Sequence, residues 1–387
     1  MLAPAIPLLD TDLLLTDSER LVAQRVAGVA AAWRDEIADW YADERAPVRD
    51  VAGQMGSAGL LGMTLPEPYG AGAGAVAYGL ACLEVEAVDS GLRSLLSVQG
   101  SLAMHAIHAF GSPEQRQRWL PGMARGEIIA GFGLTEPEVG SNPAECRTTA
   151  VRTGSGWVLN GTKRWITNGP VGDAVVTWAN TDEGMRGFIV PTAAPGVAMA
   201  DIAGRLSLRA SRSGEMVLTD VVLTEDHVLG GAQGLRAPLS CLNEARFGII
   251  FGSLGAARDS LAAAVDYTVG REQFGKPLAG FQLVQSELAD MAADLAAAFA
   301  LAVHLGRAKE AGRISPAQVS LGKRTSAATS LRIARRARAL LGANGVLGEH
   351  SPMRHAANLE SVVTYEGTHE MHTLVLGQAL TGVAAFR

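Results

Sequence analysis

The texture of the chain changes twice along its length, and these two changes constrain the fold more than any other feature. Apolar residues first recur at helical spacing, short β-like runs take over near Ile128, and from about Gly234 the pattern is helical again. In the last block Val284, Leu288, Met291, Leu295 and Phe299 step by threes and fours, the stripe of a bundle helix. In the first block Thr16-Asp17-Ser18-Glu19 has capping-box spacing and opens a helix through Leu21, Val22 and Val26. Helical patterns break at Pro66-Glu67-Pro68-Tyr69-Gly70-Ala71-Gly72 and resume over 76–88 and 92–110. Gly111-Ser112-Pro113 ends one helix and starts the next, and Ser315-Pro316 caps another that Gly342-Ala343-Asn344-Gly345 ends. Between these blocks, strands are expected at 129–134, 150–152, 157–159, 174–178, 187–190 and 216–223. Asn160-Gly161, between Val158-Leu159 and Arg164-Trp165-Ile166, predicts a hairpin turn. Three units follow: a helical domain over 1–128, a compact β domain over 129–232 and a long-helix bundle over 233–387.

At 387 residues the chain is too long for one ordinary core, and with 48% apolar and 19% charged residues it is globular rather than disordered. A net charge of -6 argues against nucleic acid as a partner, and 5% aromatics leave little for base stacking. Cys82, Cys146 and Cys241 are too few and too far apart for a disulfide framework or a metal pattern, which points to a reducing, cytoplasmic setting. Residues 1–12 are apolar but lack a basic leader, so they do not read as a signal peptide; no uncharged apolar run reaches the length of a membrane span. His369-Glu370-Met371-His372 lacks the spacing that puts two histidines on one helical face, and no metal is expected.

The chemistry concentrates in a few segments. Thr364-Tyr365-Glu366-Gly367-Thr368-His369-Glu370 sets a carboxylate directly before a glycine, near the end of an apolar helical tail. Burial disfavours the charged form of a glutamate, so Glu366 is a candidate general base with a raised pKa; on these seven residues alone it is equally a solvated turn residue. Phe132-Gly133-Leu134-Thr135-Glu136-Pro137-Glu138-Val139-Gly140-Ser141 combines glycines and hydroxyls that expose backbone amides, suited to a polar ring edge or a phosphate, though such a segment is more often a plain turn. Trp165-Ile166-Thr167-Asn168 is the second such piece, and a tryptophan on a strand is ordinarily core. Arg271-Glu272-Gln273-Phe274-Gly275-Lys276-Pro277 reads as a solvated loop, yet its arginine could clamp a pyrophosphate.

Taken in order, these segments resemble the acyl-CoA dehydrogenase family of flavoproteins from about residue 15 to residue 386, and within it glutaryl-CoA dehydrogenases most. The resemblance implies an α+β multidomain fold: an N-terminal α-helical domain, a middle antiparallel β domain and a C-terminal four-helix bundle. It implies FAD as cofactor, with Phe132, Leu134, Thr135, Gly140, Ser141, Trp165, Ile166 and Thr167 lining the flavin. Arg271, Phe274 and Gln282 would meet the adenine half across a subunit boundary, where Ala339, Gly342 and Ala343 supply backbone, and Thr368, His369 and Phe386 complete the set. A homotetramer, a dimer of dimers, follows, with an acyl-CoA as substrate and an electron-transfer flavoprotein as acceptor. Glu366 matches the family's base, Gly367 the residue that leaves room for the thioester, and Arg246 and Asn243 substrate-lining positions, with Ser141 beside them.

In the glutaryl-CoA enzymes an arginine matching Arg93 grips the distal carboxylate beside a serine and a glutamate matching Ser97 and Glu86; Ser94 and Tyr365 also match, whereas Arg93 alone reads as a surface ion pair. An unpaired charge at a pocket end is costly, so this set points to a dicarboxylyl thioester and to oxidation followed by loss of CO2. Leu92 and Phe247 stand where tyrosines are usual, Asn142 replaces an aspartate, and Glu138-Val139 and Ala343 also differ. These departures keep open a related biosynthetic enzyme acting on another dicarboxylyl or short branched acyl thioester of CoA or of a carrier protein.

Overall fold

The computed structural model describes residues 6–44, 46–154 and 156–386, so residues 1–5 of the apolar N-terminal stretch lie outside the described residues. The first domain packs α1 (Asp17–Arg34), α2 (Ile37–Asp43), α3 (Val48–Ser57), α4 (Ala75–Glu86), α5 (Ser90–Ser97), α6 (His105–Phe110) and α7 (Pro113–Ala124). The capping signals are realised with both reciprocal bonds: Thr16 with Glu19 and Ser112 with Gln115. The helical stretch expected over 92–110 is continuous, but a π-helical segment, Val98–Met104, widens its middle. Gln99 within that wide turn donates to the carbonyls of Met123 and Ile128 and accepts from the amide of Ala130, which stitches the first strand to the helical domain.

The β domain contains β1 (Ala130–Gly133), β2 (Thr149–Thr153), β3 (Gly156–Thr167), β4 (Ala174–Thr181), β5 (Gly184–Pro191), β6 (Val197–Asp201), β7 (Ser213–Leu223) and the short β8 (Val228–Leu229). The order is β6-β7-β3-β2-β4-β5-β8, with β1 against β4. Pairing is antiparallel except for β1–β4 and the single β2–β4 pair, which are parallel. Trp157, Leu159, Ile166, Phe188, Val190 and Met216 form part of this domain's own core.

The hairpin expected at Asn160-Gly161 is not formed. β3 runs straight through it, and the turn falls earlier, between Thr153 and Gly156 of the β2–β3 pair. The dipeptide serves the neighbouring strands instead. Asn160 exchanges two bonds with Asp220 of β7, and a Cβ on Gly161 (φ 148°) would lie 2.5 Å from the Thr148 hydroxyl beside β2. The β3–β7 register shifts at Gly161 and again between Lys163 and Ile166, two bulges in one strand.

The bundle comprises α8 (Arg236–Gly270), the two-residue strands β9 (Glu272–Gln273) and β10 (Lys276–Pro277), α9 (Gln282–Glu310), α10 (Pro316–Leu340), α11 (Ser351–Val362) and α12 (His369–Thr381). The stripe of α9 points inward at Met291, Leu295 and Phe299, while Val284 and Leu288 are half-buried. Helix α10 packs against α8, α9, α11 and α12. Two helices, α8 and α9, are long and apolar enough to cross a bilayer, but 72% of that stretch in α8 is buried within the protein.

Candidate active site

The site forms where α4, α5, α8 and α10 meet the turn between α11 and α12. That turn holds Glu366 at φ 53° and Gly367 at φ 98°, two successive left-handed residues. Only glycine suits the second. A Cβ on Gly367 would lie 2.9 Å from His372 Nε2 and 3.3 Å from Arg246 Nη2. Arg246 Nε donates to the Glu366 carbonyl at 2.7 Å and its Nη1 to Asn243 Oδ1 at 3.1 Å. Among the described residues the Glu366 amide donates to nothing. Glu366 as a residue is half-buried, yet its Oε2 is buried without a hydrogen-bond partner. Burial pushes its carboxyl pKa up, against the opposing pull of Arg93, Arg246 and Lys323. A carboxylate so placed can take a proton from carbon near neutral pH.

Next to this turn, reached through Tyr365, Arg93 is fully buried. Its Nε donates to Glu86 Oε2 at 2.6 Å, its Nη2 to the Tyr365 hydroxyl, and its guanidinium lies 5.6 Å from the centre of the Tyr365 ring. Glu86 is itself fully buried and accepts from Ser90 Oγ at 2.8 Å. Arg93 Nη1 and Ser97 Oγ are buried with no partner, so two donors are left open here. Burial works against the charge of Arg93, but Glu86, Tyr365 and Glu366 hold it protonated. Ser94 is buried and bonded to Tyr365, whose hydroxyl burial keeps neutral. The surface ion pair that Arg93 suggests on its own is therefore replaced by a pair sealed inside the protein.

Three residues to which the sequence reading gave no role complete the site. Gly252 of α8 faces the ion pair, and a Cβ there would lie 2.3 Å from Glu86 Oε2 and 3.2 Å from Arg93 Nε. Lys323 of α10 is buried, and its ammonium donates to the carbonyls of Val363, Tyr365 and Gly367 at 3.5, 3.0 and 2.7 Å. His372 of α12 bonds Ser320 through Nδ1 at 3.0 Å; burial, Lys323 and Arg246 push it down to about 3, so it is neutral. The Glu366 backbone draws weakly on this ring, but no well-formed bond reaches Nε2. The one available sequence signal was a lysine set on the inward face of an amphipathic helix, between Val319 and Ala327.

The other residues singled out by sequence fall into two groups. Trp165 sits at the second bulge of β3 with φ 62° and is 54% exposed, so this tryptophan is not core. Near it on the sheet, Thr135 and Thr167 are half-buried with hydroxyls that bond to nothing among the described residues. Gly140 and Ser141 are exposed, and nothing lies within 4 Å of where a Gly140 Cβ would be. Phe132 packs on Trp178 at 5.9 Å, while the side chains of Leu134 and Ile166 are buried in the cores and could offer only backbone to a ligand. This open face, with free hydroxyls, an exposed indole and an unencumbered glycine loop, fits a flat heteroaromatic ring with a phosphate tail. Behind it the buried Lys163–Glu136 pair, at 2.8 Å, fixes the loop: Glu136 also accepts from the amides of Arg147 and Thr148. The second group lies on the surface of the bundle. Arg271, Gln282, Ala339, Gly342 and Ala343 are exposed, Phe274 is 94% and Phe386 43% exposed, and Thr368 and His369 are half-buried. Within one chain Thr368 and His369 adjoin the turn of Glu366, the His369 amide donating to the Val363 carbonyl at 3.0 Å, while the others make no hydrogen bond to it among the described residues. The departures Leu92 and Phe247 are core residues, the latter against Phe251 at 5.8 Å, and Asn142 is an exposed loop residue bonded to Glu145. No group of three or more possible metal ligands occurs among the described residues.

Comparison with known proteins agrees with this layout. The N-terminal, middle and C-terminal domain models of acyl-CoA dehydrogenase match residues 16–127, 131–221 and 232–381. An acyl-CoA dehydrogenase of Bacillus subtilis is 34% identical over 336 residues, which cover 85% of this chain and 89% of that protein. Among solved structures, a glutaryl-CoA dehydrogenase from Mycobacterium smegmatis is 57% identical, with a TM-score of 0.95 and 97% and 99% of the two chains covered. A glutaryl-CoA dehydrogenase of the same organism, in complex with FADH2, is 53% identical with a TM-score of 0.97 over 99% of both chains. The chain belongs to the acyl-CoA dehydrogenase family.

Proposed function

We propose that this acyl-CoA dehydrogenase oxidises glutaryl-CoA and releases its distal carboxyl as CO2, giving crotonyl-CoA. FAD is the cofactor, and it supplies the acceptor for the β-hydrogen that leaves as hydride, which no side chain can provide. Trp165, Thr135, Thr167, Gly140 and Ser141 would hold its ring and phosphates, and Arg271, Phe274, Gln282 and the 339–343 segment of a second copy would hold its adenine half. Glu366 takes the α-proton. The free Glu366 amide binds the thioester oxygen, where negative charge grows as that proton leaves. Gly367 leaves the thioester room. Once the α,β double bond has formed, the distal carboxylate is vinylogously activated; CO2 departs with its bonding electrons left on carbon, and protonated Glu366 returns its proton to that carbanion.

The observation that carries the substrate is the buried Arg93, with a donor left over after Glu86 and Tyr365 are satisfied. Among the buried groups around the turn three cations (Arg93, Arg246, Lys323) meet two carboxylates (Glu86, Glu366), with the exposed Glu370 only at the rim beside Lys323. One more anion balances the pocket, and an unbonded buried N–H is costly without an acceptor. A monocarboxylic acyl chain offers neither. The 94% exposed Phe274 and 83% exposed Leu283 on the flavin-side surface support a homotetramer, in which a second copy covers them. An electron-transfer flavoprotein is the acceptor of the electrons, and a reducing, cytoplasmic compartment suits the three free, buried cysteines. Leu92 beside Arg93 favours, as second reading, a related dicarboxylyl or branched acyl thioester, on CoA or a carrier protein.

The test is product analysis. Holoenzyme with glutaryl-CoA and an electron acceptor should yield crotonyl-CoA and CO2. Arg93→Ala should lower turnover of glutaryl-CoA far more than that of butyryl-CoA. Equal losses on both would remove the carboxylate role, and preference for a carrier-protein thioester in a substrate panel would move the assignment to the second reading.

A further inference from the structure

The turn that carries Glu366 is held from below by a residue with no part in the chemistry described so far. Lys323 projects from α10, is 1% exposed, and donates all three of its N–H groups to carbonyls of one five-residue segment, those of Val363, Tyr365 and Gly367. The intervening carbonyl, that of Glu366, goes to Arg246 of α8. Four carbonyls of the turn are thus drawn to two cations on two different helices. The turn's own backbone provides little: Thr364 and Tyr365 amides reach Ser361, and His369 closes on Val363. Glu366 and Gly367 sit in left-handed backbone, which for glutamate costs energy unless its surroundings impose it. Three convergent donors on alternate carbonyls impose that geometry, and a neutral side chain of the same length could not.

We propose that Lys323 is the positioning residue of this active site: its ammonium gathers the carbonyls of the 363–367 turn and so aims the Glu366 carboxylate and the Glu366 amide at the substrate. This rests on the reading of Glu366 as the base. Arg246 and Arg93 face the same space from α8 and α5, and His369 and Glu370 from the start of α12, while His372 is neutral there. Burial and the two arginines pull Lys323 down to about 7, against Glu366 and Glu370. The three carbonyl acceptors match an ammonium and not an amine, which has one N–H fewer, and they hold the charged form. That charge in turn lowers the pKa of Glu366. Lys323 therefore acts twice on the base, through its geometry and through its field.

Lys323→Met in the FAD-loaded enzyme separates this from a merely structural role. The expected result is normal flavin content, a fall of about tenfold or more in kcat at pH 7 with KM little changed, and a rising limb of the kcat–pH profile moved upward by about one unit. Amide hydrogen exchange over residues 363–369 should quicken while the rest of α10 stays protected. Lys323→Gln, which keeps a donor but no charge, should restore part of the protection and leave the limb displaced. A flavin-loaded Lys323→Met enzyme with an unmoved limb and unmoved exchange overturns the inference. If neither variant accumulates as folded holoenzyme, Lys323 is a determinant of folding and the inference is equally overturned. Glu366→Gln serves as the control: turnover surviving in that variant removes the base assignment itself, whereas its loss beside an unaltered Lys323→Met profile removes only the positioning role.

Discussion

Gly252→Ala is the most searching test of the pocket's acyl end, because it adds one methyl group and no charge. The new Cβ would stand 2.3 Å from Glu86 Oε2 and 3.2 Å from Arg93 Cδ and Nε, against a contact distance of about 3.5 Å. Backbone conformation is no obstacle, since the residue is mid-helix in α8 with ordinary φ, and alanine there adds about 1 kcal/mol of helix propensity. Overpacking costs about 1–3 kcal/mol. The net effect on stability is therefore small, from nothing to a loss of about 2 kcal/mol, and the fold survives. Glu86 cannot simply retreat: Ser90 Oγ holds its other oxygen at 2.8 Å, and Arg93 Nε lies 2.6 Å from the one displaced. Moving Oε2 by about 1 Å re-aims the guanidinium. A charge-assisted hydrogen bond is worth about 1.5–3 kcal/mol, so a substrate that depends on Arg93 should lose about 10- to 150-fold in kcat/KM. Butyryl-CoA, which ends in a methyl group, should lose little. The assay is the ratio of kcat/KM for glutaryl-CoA to that for butyryl-CoA in wild type and variant, with flavin content and Tm measured alongside. An unchanged ratio in a flavin-loaded variant would show that the ion pair does not read the substrate's far end.

Glu366→Gln keeps the shape of the turn and removes the proton acceptor, so turnover should fall by at least about a hundredfold while FAD stays bound, as read from the visible spectrum of the purified protein. The Lys163–Glu136 pair should set the acid limit of the β domain. Burial opposes the Glu136 charge, but Lys163, Thr148 and two backbone amides overcome it and hold the carboxyl down to about 2. Its folded pKa lies below the unfolded one, so the stability it contributes is complete above about pH 4.5 and is lost as pH falls toward 2. Lys163→Met should accordingly raise the midpoint of acid unfolding followed by tryptophan fluorescence, and an unchanged midpoint would exclude the pair as its cause. Phe274→Ser should give a smaller species on size-exclusion chromatography together with weaker FAD retention; a variant that elutes like wild type and stays yellow would show that Phe274 is not at a subunit boundary.

Features that depend on a few adjacent residues were legible in the sequence, and features that depend on a distant partner were not. The caps at Thr16, Ser112 and Ser315 are spelled within four residues, and each forms as written. The α9 stripe is a periodicity of one helix and turns inward where Met291, Leu295 and Phe299 predict. Asn160-Gly161 misleads because a turn and a glycine bulge share the same dipeptide; the choice is made by Asp220 and Thr148, both remote in sequence. Trp165 misleads for the same reason, since alternation along β3 would turn it one way and the register shift beside it exposes it. Arg93 could be read correctly only through family resemblance, because what buries it is the approach of α8 at Gly252. Lys323 was hidden by its company. The buried face of α10 mixes Val319, Ala327, Leu331 and Ile333 with Ser320, Lys323, Ser326, Thr329 and Ser330, so the lysine is one polar residue among several rather than a lone break in an apolar stripe. A bundle core has no packing use for so many polar groups, and two of these hydroxyls, those of Ser326 and Ser330, are left without partners. At Ser320 and Lys323 the same polarity has a use, for it meets His372 and the backbone of the Glu366 turn. Where a core helix is polar on its inner face, the parsimonious expectation is that this face is the floor of a site.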